Sequence, residues 1–137
     1  MQAIDYLEQI DAYESKIENK ISEIQRLEAL ATNISPHISD AKVSSTLNPH
    51  RIQDVWVRLM EARSELLDEV DELVALRAEI VKTLELLPRV EYDVLYKIYI
   101  SRYTVQQVAD KNNYTRQAIY DIKDRGLEKL QKILDSR

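Results

Sequence analysis

Five side chains within nine residues, Thr115, Arg116, Gln117, Tyr120 and Lys123, carry hydrogen-bonding groups suited to the surface of duplex DNA. An arginine can donate twice to the edge of guanine, and a glutamine can exchange two bonds with the edge of adenine. Each such pair discriminates against a wrong base by about 1–3 kcal/mol. Threonine, tyrosine and lysine side chains bind phosphate oxygens, which fixes register without reading sequence. The expected chemistry is therefore recognition, with Arg116 and Gln117 for bases and Thr115, Tyr120 and Lys123 for the backbone. Asp121 and Asp124 would oppose DNA on that surface, and helical spacing allows them to point away from it.

Such a set needs a helix whose N-terminal end is free, and a second helix to brace it. The sequence predicts a short helix over residues 105–111, a tight turn at Asn112, Asn113 and Tyr114, and a further helix from Thr115, whose hydroxyl can cap the first turn. Two helices meeting steeply around so short a turn need a small residue at their contact, which Ala109 supplies. They also need a residue tolerant of positive φ in the turn, and Asn113 is the next choice after glycine. Val108, Tyr114, Ile119 and Ile122 stand where a small core requires apolar groups. A preceding helix over residues 90–100 carries Val94, Leu95, Ile98 and Tyr99 on one face, followed by a break at residues 101–104. The unit reads as a helix-turn-helix, whose second helix enters the major groove and presents its N-terminal residues to base edges.

The last fifty or so residues resemble region 4 of the bacterial sigma factors. The resemblance rests on Leu87–Pro88, Val94–Leu95, Val108–Ala109, Thr115–Arg116 and the tail Gly126–Leu127–Glu128–Lys129–Leu130. Gly126 stands where that family has alanine, a change worth up to about 1 kcal/mol of helix stability. The resemblance implies binding to double-stranded DNA, with RNA polymerase as a candidate partner. The N-terminal part does not resemble sigma region 2. The whole layout is similar to that of small phage and prophage regulators of late transcription, of the ArpU and RinA type.

Upstream, residues 4–31 predict one amphipathic helix: Ile10, Ile17, Ile24 and Ala31 recur every seven residues, flanked by Tyr6, Leu7, Tyr13, Ile21 and Leu27. Residues 32–49 are rich in Ser, Thr, Asn and Pro and read as a connector. A second long helix is expected from Pro49 to about Leu86, with Asn48 as its cap and Ile52, Leu59, Leu66, Leu73, Ile80 and Leu87 in strict heptad register. Val55, Trp56, Ala62, Val70, Leu76 and Leu84 fill its neighbouring rows, Trp56 as a core or interface anchor. The expected fold is all-α, a long antiparallel helical hairpin over residues 1–87 followed by a helix-turn-helix domain over 88–137. Surplus stripe on the longer helix would suit a second copy, so a homodimer through the N-terminal helices is a candidate assembly.

The net charge is −5, but residues 89–137 hold ten Lys/Arg against seven Asp/Glu, and residues 1–88 nine against seventeen. The basic half is the one with the helix-turn-helix. With no cysteine, disulfides and thiolate metal sites are excluded. The run Glu61, Glu65, Asp68, Glu69, Asp71, Glu72 spreads around a helix flank and does not converge on a cation, and His37 and His50 lack ligand spacing. There is no Gly-rich phosphate loop or nucleophile elbow, so neither catalysis nor a cofactor is expected. No apolar run is long enough for a membrane span, and the N-terminus lacks a signal pattern, so a cytoplasmic location is expected. The reading is thus a sequence-specific DNA-binding regulator. A DNA-recognition subunit of a phage packaging complex and a protein-interaction adaptor of sigma-like fold are the alternatives.

Overall fold

The computed structural model describes residues 1–34 and 49–137, and the fold is all-α. Helix α1 spans Ala3–Ile34 and α2 spans Pro49–Leu84. Helix α3, Arg89–Leu95, runs on into a π-helical turn, Tyr96–Ile100. Helix α4 is Val105–Asn112 and α5 is Arg116–Asp135. Helix α1 extends one turn further than its apolar pattern predicted. The rest of the expected connector, including His37 and the cap expected at Asn48, lies outside the described residues. Helix α2 ends at Leu84, two residues early, in a turn closed by the Leu86 and Leu87 amides donating to the Thr83 and Leu84 carbonyls. Pro88 then enters α3 in extended geometry (φ −55°, ψ 150°), which a proline imposes at no cost.

The chain forms two compact units, residues 13–72 and residues 1–12 with 73–137. The division falls elsewhere than at Leu87–Pro88, which lies inside the second of these: both ends of the expected hairpin belong with the C-terminal helices. The reason is apolar burial. Ala3, Tyr6, Leu7 and Ile10 of α1 share one cluster with Ile80, Leu84 and Leu87 and with Leu95, Ile100 and Leu130. Polar bonds add to it. Thr83 Oγ1 donates to the Glu79 carbonyl and so accepts from the Tyr6 hydroxyl at 3.0 Å. Gln131 accepts from the Ala3 amide at 2.7 Å and donates to the Met1 carbonyl.

In residues 13–72, α1 and α2 run antiparallel, as the ion pairs Lys20–Glu65 (2.6 Å) and Arg63–Glu28 (2.9 Å) fix by their reversed order. The core there is small: Ile24, Leu27, Leu59 and Ala62, with Leu66 packed against them. Trp56 is not in it. Its ring is exposed, as are Ile21 and Val70, so these rows of the apolar pattern face away from the seam.

Gly126 lies buried where α5 crosses α3. A Cβ there would come within 3.0 Å of Leu95 Cδ1 and 3.3 Å of Glu91 Cβ. The glycine therefore permits a close approach, and α5 continues through it unbroken. Alanine would gain up to about 1 kcal/mol in helix propensity. Leu95 is fully buried and cannot swing aside, so overpacking of about 1–3 kcal/mol outweighs that gain. Gly126→Ala is expected to be destabilising by roughly 1 kcal/mol in urea unfolding, and Gly126→Leu by more.

Beside it, the buried carboxylate of Glu91 accepts from Lys129 at 2.7 Å. This bond holds the Glu91 pKa below the ordinary carboxylate value, against the opposing effect of burial. A carboxylate depressed in the folded state stabilises the fold above its unfolded pKa of about 4.3, and that contribution is lost as pH falls through the folded value. Stability is expected to drop on acidification below about pH 4, and the drop should be smaller in Glu91→Gln when urea midpoints near pH 7 and pH 3 are compared.

Candidate nucleic-acid interface

Helices α4 and α5 are joined by Asn113, Tyr114 and Thr115. Asn113 adopts the left-handed conformation (φ 58°, ψ 37°), as the turn chemistry required. The Asn113 and Tyr114 amides both donate to the Ala109 carbonyl, closing the end of α4. Ala109 is buried beside Val108, Ile119 and Ile122, and the cluster is completed by Val94 from α3 with Ile98, Tyr103 and Val105 around it. Tyr114, expected in this core, is exposed and lines a surface hollow with Arg89, Val90 and Lys97. Val94, from the preceding helix, is the large apolar residue the cluster has in addition to those of α4 and α5.

The π-helical turn explains how one helix serves two cores. The Ser101 amide reaches back five residues to the Tyr96 carbonyl at 3.0 Å, which widens the turn and shifts the phase of its side chains. Val94 and Ile98 pack toward Val108 and Ile119, whereas Leu95, Tyr99 and Ile100 pack toward Leu84 and Leu130. The single face expected over residues 90–100 is thus divided.

Two caps set the ends of the braced pair. The Thr115 hydroxyl accepts from the Ala118 amide at 3.1 Å, as expected. Thr104 forms a full capping box with Gln107: its hydroxyl accepts from the Gln107 amide, and the Gln107 side chain accepts from the Thr104 amide at 2.9 Å. The Thr-x-x-Gln spacing was visible in the sequence as a signal for this start. Just before it, Arg102 takes a positive φ of 63° and pairs with Asp11. No local pattern could have shown that pairing, since the partners are 91 residues apart.

Thr115, Arg116, Gln117 and Tyr120 are all exposed at the start of α5. Among the described residues Arg116 has no ion-pair partner, and its guanidinium stands in solvent. The Gln117 amide donates to Asp121 Oδ1 at 3.0 Å. Asp121 therefore shares the Gln117 face and does not point away from it. One amide hydrogen and the Gln117 carbonyl oxygen remain available, which is the pair adenine requires. Lys123 differs from the other four. It is half-buried, with its ammonium 5.8 Å from the Tyr99 ring centre and 5.9 Å from that of Tyr120, within cation–π range. Thr115 keeps its hydroxyl hydrogen for an outside acceptor such as a phosphate oxygen, while its oxygen accepts in the cap.

A family model described as "Protein of unknown function (DUF1492)" matches residues 32–131. The chain belongs to this family. The DUF1492 match takes in all of α2, α3 and α4 and most of α5, including all five side chains considered above, while residues 1–31 lie outside it. Neither a curated protein nor a solved structure matches the chain. Among the described residues, no helix is long and apolar enough to cross a membrane, and no group of three or more His, Cys, Asp or Glu could hold a metal ion.

Proposed function

We propose that this DUF1492 protein binds double-stranded DNA sequence-specifically through the first turns of α5 and acts as a transcription regulator. The observation that carries the reading is the exposed Arg116–Gln117 pair, one turn from Tyr120, at the start of a threonine-capped helix braced by α4 through Ala109. A helix end so presented fits the major groove, and its two side-chain types make paired bonds to guanine and adenine. The bond to Asp121 holds the Gln117 amide plane before any base arrives, while the Asp121 carboxylate itself repels phosphate on that face. Contact with RNA polymerase belongs to the proposal through the sigma region 4 resemblance, phage or prophage origin through the likeness of layout to regulators of the ArpU and RinA type, and a place inside the cell through the proposed DNA target.

Lys123 takes a changed role within the proposal. Packed against Tyr99 and Tyr120, it steadies the Tyr120 ring at the edge of the interface as well as offering charge to a phosphate. Binding-site selection from random duplex DNA tests the function directly. Enrichment of one short motif containing a guanine and an adenine is expected. Recovery of unchanged random sequence after several rounds would refute sequence-specific recognition.

A further inference from the structure

In residues 13–72, helix α2 carries a second apolar row that the described residues leave exposed. Leu59, Ala62 and Leu66 face α1. One residue further on at each step, Met60, Arg63 and Leu67 face solvent, and Trp56 and Val70 extend that row at the alternating 4,3,4,3 spacing of a coiled-coil seam, with Val57 beside it. The exposures are large for such side chains: 43% for Trp56, 51% for Val57, 56% for Met60 and 66% for Leu67. Solvated monomers rarely leave a contiguous patch of this kind uncovered. The four-residue core beneath it is thin for a pair of helices, and the solvent-screened ion pairs around it add little.

We infer that this row pairs with the same row of a second copy, the two α2 helices running antiparallel to form a dimer. Charge decides both the occupant and the direction. Residues 64–72 hold five carboxylates (Glu65, Asp68, Glu69, Asp71, Glu72) and no Lys or Arg, whereas residues 51–63 hold three arginines against Asp54 and Glu61. The helix is therefore complementary to its own reverse. A parallel pair would set Arg63 against Arg63 and the acidic stretch against itself, which is destabilising. Antiparallel, Met60 meets Val70 of the second copy, and Leu67 meets the aliphatic stem of Arg63 of the second copy. The guanidinium of Arg63 then reaches toward the acidic stretch, and its exposed bond to Glu28 within its own chain is weak enough to be shared. The seam would bury on the order of 1,000 Å² over both copies, the lower bound for a specific dimer.

The chain has no cysteine, so engineered ones report without background. Sedimentation of the full chain is expected to give twice the monomer mass at micromolar concentration, and Leu67→Glu is expected to weaken dimerisation by at least tenfold while keeping the helical circular dichroism. Met60→Cys/Val70→Cys is expected to crosslink on oxidation into a covalent dimer. Met60→Cys alone and Val70→Cys alone should not, because only a parallel pair brings like positions together. Crosslinking of the single variants would overturn the antiparallel pairing. A monomeric wild type would overturn the dimer, and if Leu67→Glu then also lowered its thermal stability, the row would belong to a segment of the same chain.

Discussion

Ile119→Ala is expected to lower the free energy of unfolding by about 2–5 kcal/mol, the largest effect of any single truncation near the candidate interface. Ile119, on the inner face of the first turns of α5, is fully buried among Val94, Val108, Ala109 and Ile122. Two features keep the resulting cavity from closing. Ala109 is too small to fill it, and the α4–α5 turn is pinned by two amides on the Ala109 carbonyl. The cluster is also separate from the one built around Leu84, Leu95 and Leu130, so that larger core cannot collapse into the space. Urea unfolding followed by circular dichroism checks the value. Ile21→Ala, at an exposed apolar position of α1, should cost far less in the same assay.

Arg116→Ala is expected to cost about 1–3 kcal/mol of binding to a selected duplex, a loss of roughly 5- to 150-fold, and to relax preference at one base position. Arg116 stands in solvent at the first position of α5, so its removal should leave the urea midpoint within about 0.5 kcal/mol of wild type. That separation matters, because Ile119→Ala would also weaken binding, but through the fold. Competition between selected and random duplexes distinguishes the two variants. Arg116→Ala should narrow the gap between the duplexes, whereas Ile119→Ala should lower affinity for both in proportion to the unfolded fraction.

Much of the α4–α5 unit was legible in the sequence because each of its constraints is local. A left-handed turn position admits few residue types, and Asn113 is one of them. A helix start needs a hydroxyl or carboxamide cap, and Thr115 supplies it. A steep crossing needs a small side chain, and Ala109 is buried there. Tyr114 was misjudged because a residue beside such a turn can face either way, and spacing alone does not show that Val94, from a different helix, joins the cluster.

The long helices show the opposite case. Their heptad was plain, but α-helical rows drift by about 20° per seven residues, so adjacent apolar rows cannot be ranked by spacing alone. Leu66 and Leu67 are both leucine, yet only Leu66 packs against the core. Trp56, expected as a core or interface anchor, likewise lies outside the core of residues 13–72 and is exposed. The boundary near Pro88 was drawn from a proline and a change in composition. Burial is set by which helices meet in space, and there residues 1–12 join residues 73–137. The bond between Glu91 and Lys129 was equally hidden, since it joins two helices 38 residues apart.

The reading of α5 turns on one direct measurement: fluorescence anisotropy of wild type and Arg116→Ala with labelled duplex DNA, titrated from about 50 to 300 mM salt. The account predicts salt-dependent binding by both proteins with similar slopes, and a preference for the selected sequence that is stronger in the wild type than in Arg116→Ala. Absence of binding at the lowest salt, or equal preference in the two proteins, would contradict it.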